Sequence, residues 1–136
     1  MGFNFNKISI ERFPSNDDNK NLKIDTNINI KSIKELKTDI LKSKEIVIGI
    51  EFGYQINYEP KIAKLDFVGN IILSVDQKQA KTILREWEDK KIEEDFKFTL
   101  FNVILKKANI KAIQLEDELN LPLHLPFPSL QRPKQE

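Results

Sequence analysis

The stretch "IVIGIEFGYQINY", residues 46–58, decides the fold class of this chain. Every even position in it is apolar or aromatic, whereas the odd positions include Glu51, Gln55 and Asn57. Such alternation is the period of a β-strand that has one buried and one solvated face. We therefore predict a long, half-buried strand whose apolar face is covered by other elements of the chain.

Three other segments have strand-like patterns. In residues 3–10 the apolar side chains change phase near Lys7, which predicts a β-bulge. Residues 22–30 alternate cleanly between apolar and polar side chains. Residues 61–75 return as the partner of the central strand, and Gly69 within them indicates a bend, a bulge or a close backbone approach.

The remaining half of the chain is predicted to be mainly helical. Asp76 followed by Gln79 resembles a capping box at the start of a first helix. A second helix is expected from about Asp95 to Ala108, where Asn109 could provide a left-handed cap. A short helical turn, "QLEDEL", could follow at residues 114–119.

Residues 33–44, "IKELKTDILKSK", fit a helix or a loop about equally.

Strands followed by helices predict an α+β fold, with two helices packed on one face of a four-stranded antiparallel meander. An extended, proline-rich segment follows the helices. The length of 136 residues suits a single domain spanning residues 1–136.

The composition argues against several classes of function. A formal net charge of +1 gives no overall basic field of the kind that duplex DNA binders use. Zero cysteines exclude disulfides and thiol nucleophiles, and they fit a reducing compartment. The sequence shows no apolar run long enough to span a membrane. We therefore expect a cytoplasmic protein without membrane insertion.

The sequence also lacks the residues of common catalytic sites. Its four glycines do not have phosphate-loop spacing, and a single histidine, His124, has no identifiable serine or aspartate partner. We expect His124 to fill a surface or an interface. No enzyme activity, cofactor or metal site is predicted.

Two features could bind a partner. The first is the aromatic stripe on the central strand, formed by Phe52, Tyr54 and Tyr58. The face that carries these rings should be covered by the helices, which makes a core role the simpler interpretation. Tyrosine also prefers a hydrated or paired hydroxyl, so a binding platform at the end of the sheet is the alternative.

The second feature is "LNLPLHLPFP", residues 119–128. Its prolines exclude a helix and remove backbone donors, so the segment must be extended. It nevertheless carries the apolar side chains Leu121, Leu123, Leu125 and Phe127. These can pack on their own subunit, or they can line a groove that is shared with a neighbouring chain or a client.

The order of elements resembles that of the SecB export chaperones and their SecB-like relatives. Four strands, the last containing "LDFVGNIILSV", lead through two helices into a leucine–proline segment. Residues 119–122 match the start of the family's helix-connecting loop. The resemblance implies a tetramer of two dimers that binds unfolded polypeptides without ATP, along hydrophobic grooves between sheet and loop. A link to protein export does not follow from the resemblance and stays open. Leu123, Leu125 and Phe127 would then be groove residues.

The leading hypothesis is therefore a chaperone that binds unfolded or extended polypeptides. Such a surface works best in a homo-oligomer, a dimer or tetramer with the second helix at one interface. The first alternative is a single-stranded nucleic-acid binder in which Phe52, Tyr54 and Tyr58 stack on bases. The near-neutral charge makes nucleic acid the weaker choice. The second alternative is an adaptor that docks one dedicated protein partner.

Overall fold

In the computed structural model, which describes residues 2–14, 22–37 and 45–126, four strands form one antiparallel sheet. The strands are β1 (Gly2–Arg12), β2 (Lys23–Leu36), β3 (Glu45–Glu59) and β4 (Ala63–Asp76). Two helices follow, α1 (Gln77–Glu88) and α2 (Glu94–Glu118). The predicted α+β class is confirmed, and the aromatic stripe lies on the central strand β3.

The strand order is β1-β4-β3-β2, which corrects the predicted meander. Only β2, β3 and β4 follow one another as neighbours, whereas β1 pairs with β4 at the opposite edge from β2. This order brings the phenylalanines of β1 to the apolar face of the two central strands. The Phe3 ring stacks on Phe52 at 5.2 Å between centroids, and Phe5 meets Phe67 edge-on at 5.5 Å.

Two irregularities in the ladder explain sequence features of the edge strands. The predicted phase slip in β1 is confirmed as a register shift between Phe5 and Lys7. A second shift lies in β2 between Ile30 and Ser32, and it restores Ile33 to the buried face opposite Ile50. Residues 33–36 are therefore strand, which corrects the helix or loop expected there, and residues 38–44 lie outside the described part of the chain.

Both helices cover the apolar face of the sheet. Helix α1 starts at the predicted cap, since the Asp76 carboxylate accepts a hydrogen bond from the Gln79 backbone N–H at 2.7 Å. Helix α2 lies over β3, with contacts from the Tyr54 and Tyr58 hydroxyls to its side chains. The opposite face of β3 presents polar residues such as Gln55.

Helix α2 is longer than predicted, because it continues without a break from Glu94 to Glu118. Asn109, the expected cap, lies inside the helix, and "QLEDEL" forms its last turns. No proline or glycine interrupts this stretch, and the positions buried every fourth residue continue beyond Ala108 to Ala112 and Glu116. The Asn109 side chain does not cap a helix but bonds to the sheet.

Gly69 marks a close approach in β4. A Cβ atom built there would lie 2.5 Å from the Asn4 carbonyl oxygen and 2.6 Å from Phe52 Cζ. The missing side chain leaves room for the Phe52 ring between β1 and β3. The close approach expected at Gly69 is observed, and Gly69 also pairs with Phe5 next to the bulge in β1.

We predict that Gly69→Ala destabilises the fold by about 1–3 kcal/mol, because the added methyl must displace backbone or a packed ring. Gly2→Ala is the matched control, since a Cβ at Gly2 has its nearest neighbour, Ile72 Cβ, at an ordinary 3.7 Å. The control should stay within about 0.5 kcal/mol of the wild type. Urea unfolding followed by circular dichroism measures both, and equal midpoints for the two variants would contradict the packing account.

Candidate functional site

The aromatic stripe is part of the core. Phe52 and Tyr54 have no solvent-exposed surface, and Tyr58 is 1% exposed. Tyr54 stacks on Phe67 at 5.5 Å between ring centroids. In this conformation none of the three rings is accessible to a partner, so their role in binding stays a prediction that requires the covering elements to move.

The predicted tail residues differ in burial. Leu121 is buried, Leu123 is half-buried and Leu125 is 38% exposed. Phe127 lies outside the described residues. We refer to residues 121–126 as the tail segment. The exposure of its leucines increases along the chain. The Leu121 end is therefore fixed on the domain, and the Leu125 end faces solvent.

The end of α2 sets the path of the tail segment. The Leu121 N–H donates to the Glu116 carbonyl at 2.8 Å and the Asn120 N–H to the Asp117 carbonyl at 3.2 Å, with Asn120 in the left-handed region at φ 55°. This pattern is a Schellman motif, which reverses the chain at a helix end. The Arg12 guanidinium adds a hydrogen bond to the Leu119 carbonyl at 2.8 Å. The tail segment therefore turns back along α2.

A buried polar cluster lies where the tail segment meets α2 and β3. We define the polar cluster as the side chains of Tyr54, Tyr58, Asn109, Glu116 and His124. Glu116 is fully buried, and within the described residues it is the one buried charged side chain. A buried carboxylate is tolerated only when donors surround it. The cluster supplies these donors from the sheet and the tail segment.

Glu116 receives hydrogen bonds from both sides. Its Oε1 atom lies 2.8 Å from His124 Nδ1, and its Oε2 atom accepts from the His124 backbone N–H at 3.2 Å. The Tyr58 hydroxyl lies against two acceptors, Glu116 Oε2 and the Pro122 carbonyl oxygen at 2.8 Å, which share its single proton. Every buried side-chain nitrogen or oxygen in the described residues has a partner.

His124 is held on both ring nitrogens. Its Nε2 atom lies 2.9 Å from Asn109 Oδ1 and 3.1 Å from the Tyr54 hydroxyl, which itself donates to Asn109 Oδ1 at 2.6 Å. The His124 side chain is only 2% exposed. This corrects the prediction of a surface or interface position, and the reason is that the reversal at Asn120 carries His124 back over the cluster.

Burial changes the acidity of both tyrosines. Loss of hydration raises the pKa of Tyr54 well above its ordinary 10.0, and the Glu116 charge raises it further. The pKa of Tyr58 is raised by burial first, and then by its hydrogen bond to Glu116 and the charge of that carboxylate. Both hydroxyls therefore remain donors at physiological pH.

The sequence reasoning did not single out Asn109 or Glu116 as site residues. A signal for Glu116 was present, because it continues the buried series Leu100, Ile104, Ala108 and Ala112 at intervals of four residues. A charged residue in the buried phase of a helix indicates a paired interior group. Asn109 gave no comparable signal.

Two open clefts lie at opposite ends of α2, and one of them is next to the polar cluster. One of about 420 Å³ lies beside the start of the tail segment, between Arg12, Ile62 and Pro122. A second of about 430 Å³ lies between α1 and the start of α2, where Ile83 and Phe96 provide an apolar lining.

Among the described residues, no group of three or more His, Asp or Glu side chains is arranged to hold a metal ion. No helix in residues 2–14, 22–37 and 45–126 is long and apolar enough to cross a membrane.

Among solved structures, the chain is similar to the Mycobacterium tuberculosis SecB-like chaperone Rv1957, which was determined in complex with a ChAD peptide from the HigA1 antitoxin. The TM-score is 0.52 and the identity 16%, over 98% of this chain and 91% of that chain. The sequence matches no protein-family model and no curated protein. The resemblance to SecB-like proteins is thus confirmed for the fold.

We predict that Tyr58→Phe lowers the free energy of unfolding by about 1–3 kcal/mol, because it leaves Glu116 and the Pro122 carbonyl short of a donor in a buried site. Thr82→Ala removes a hydroxyl that bonds to the Lys78 carbonyl on the exposed helix surface, and serves as control. The control should change stability by less than about 0.5 kcal/mol. Chemical denaturation of both variants tests this, and an equally small effect of the two substitutions would be inconsistent with the cluster.

A pH prediction follows from the two tyrosines. In the unfolded chain both tyrosines ionise near their ordinary pKa of 10.0. In the folded chain burial raises both pKa values, so the two hydroxyls stay protonated at that pH. Above that pH the unfolded state binds fewer protons, so stability decreases as the pH rises, and below it the tyrosines contribute no slope. Denaturation between about pH 8 and pH 11 should show this decline. Tyr54→Phe should have a shallower decline, and an unchanged slope would argue against the assignment.

Proposed function

We propose that the protein binds extended, apolar segments of unfolded polypeptides, as a chaperone does, without using ATP. The observation that supports this most strongly is the SecB-like fold, shared with a chaperone that was solved with a bound peptide. The proposed site comprises the apolar side chains Leu121, Leu123, Leu125 and Phe127 of residues 119–128, together with Phe52, Tyr54 and Tyr58 of the aromatic stripe. Within the described residues, the polar cluster connects Tyr54 and Tyr58 to the tail segment.

Exposed apolar side chains are consistent with such binding. Phe98 is 72% exposed, Ile110 is 55% exposed and Leu125 is 38% exposed. Burying a side chain of this size against a client contributes roughly 1.5–3 kcal/mol. Phe98 and Ile110 lie on different sides of α2, so this helix has apolar surface beyond the side that packs on the sheet. A homo-oligomer, dimer or tetramer, that uses α2 at an interface is part of the proposal.

The sheet edges provide a second means of contact. In the described part of the chain, no strand pairs with the outer edges of β1 and β2. Their free backbone groups can form a ladder with an extended client, which is the β-augmentation mode of recognition. Main-chain pairing is insensitive to client sequence, as a chaperone requires. A cytoplasmic location and delivery of clients to export complete the proposal.

The structure gives less support to nucleic-acid binding. The rings that would stack on bases are buried, and the net charge is +1. Single-stranded nucleic acid requires accessible aromatic rings and a basic groove. A non-enzymatic role in polypeptide binding is therefore the function that we propose.

The test is light scattering on a sizing column with a stably unfolded polypeptide, at low and at high salt. We predict a dimer or tetramer that carries the unfolded chain in its peak, with little loss at high salt because apolar burial dominates. The native form of the same polypeptide is the control and should elute separately. A species that leaves the unfolded chain behind would refute the proposal. Steep loss of binding with salt would instead indicate electrostatic contacts of the nucleic-acid type.

A further inference from the structure

We infer that the tail segment covers a binding site for an extended client segment, and that a client binds there by displacing the tail segment. We call this site, formed by the side chains of Tyr54, Tyr58, Asn109 and Glu116, the seat. This inference rests on the proposed function and specifies the role of the tail residues in it: they cover the site until a client segment takes their place. The starting observation is that the cluster holds the tail segment through main-chain groups. Tyr58 contacts the Pro122 carbonyl, and Glu116 accepts from the His124 N–H.

The two main-chain groups belong to residues at i and i+2. The chain bends at His124 and Leu125, and both groups lie on the Pro122 side of that bend. In an extended chain the backbone groups of alternate residues point to the same side, so an extended peptide can offer a carbonyl and an N–H in this arrangement. The Tyr58 hydroxyl and the Glu116 carboxylate recognise the backbone here and not a leucine or proline side chain. The seat can therefore accept chains of varied sequence.

The tail segment is held only by interactions that a client can replace. After the helix-end bond of Leu121, none of its described residues forms a backbone–backbone hydrogen bond. Pro122 and Pro126 have no N–H to donate. Its anchors are the buried Leu121, the half-buried Leu123 and the contacts of Pro122 and His124 with the cluster. Another apolar extended segment supplies equivalent groups.

The cluster also sets a chemical preference for the occupant. Glu116 Oε1 and Asn109 Oδ1 are both acceptors, and they flank the imidazole of His124. A donor side chain at this position fits the seat, whereas a carboxylate would lie next to the buried Glu116 charge. The preferred ligand is an extended segment with leucine-like residues on either side of a histidine or another hydrogen-bond donor.

His124→Ala in the full chain tests the displacement. The substitution removes the donor to Glu116, which favours the state in which the tail segment has left and water reaches the carboxylate. A larger open population raises the apparent affinity for a client. We expect about tenfold tighter binding of a labelled unfolded polypeptide, measured by fluorescence anisotropy.

Asn120→Ala gives a second variant that weakens the hold on the tail segment, in case His124→Ala does not fold. It disfavours the left-handed reversal after α2 and leaves Tyr58, Asn109 and Glu116 in place for the client. Its control is Asn102→Ala, at an exposed position on α2 outside the polar cluster. Asn120→Ala should tighten client binding and Asn102→Ala should leave it unchanged. Circular dichroism confirms that each variant is folded.

Hydrogen exchange on the wild-type chain provides an independent readout. Client addition should speed exchange at the His124 amide, which bonds to Glu116 in the closed state. Slower exchange there would mean that the tail segment closes over the client, and weaker or equal binding by both variants would mean that the tail is no competitor. Either result overturns the inference while the proposed function stands. Absence of client binding in every variant would refute both.

Discussion

The buried carboxylate of Glu116 is the constraint on which the rest of the site depends. It lies at the apolar interface of α2 with the sheet, without exposed surface. An ionised group in such a place is stable only if donors reach it from neighbouring elements. Tyr58 reaches it from β3, and the ring and the backbone N–H of His124 reach it from the tail segment. Three parts of the chain are thereby held together at one group.

This requirement connects local sequence to the path of the chain. Asn120 in the left-handed region and the Schellman bonds reverse the chain after α2, and the reversal brings His124 over the helix that carries Glu116. The tail segment lacks a hydrogen-bond ladder of its own, so its position depends on the polar cluster and on the burial of Leu121. A segment held in this way can leave without unfolding the sheet, which is the property that a competitive occupant needs.

Individual strands could be predicted from the sequence where their own apolar and polar side chains alternate. The alternation in residues 46–58 predicted β3, and the phase slip near Lys7 predicted the bulge in β1. The pairing of β1 with β4 could not be predicted, since periodicity identifies the buried face of a strand but not its neighbour. The extent of α2 was underestimated because Asn109 has the local preferences of a cap, which its bond to Tyr54 overrides.

The candidate site was predictable only in part. The leucine–proline pattern identified the tail segment and the stripe identified the tyrosines, but nothing in the linear sequence joined His124 to Glu116. That contact depends on the reversal at Asn120, a single backbone conformation whose consequences are long-range. Charged residues in helices are usually solvated, so Glu116 was hidden among the acidic residues at the end of α2.

The measurement that tests this account most directly is a double-mutant cycle between Glu116→Leu and His124→Ala, followed by chemical denaturation. The account predicts that the two effects are not additive and that the coupling free energy exceeds about 1 kcal/mol, because each side chain supplies the partner that the other needs. Additivity within about 0.3–0.5 kcal/mol would contradict it. The tail segment would then be held by the burial of Leu121 and Leu123, and the polar cluster would have no part in controlling access to the sheet.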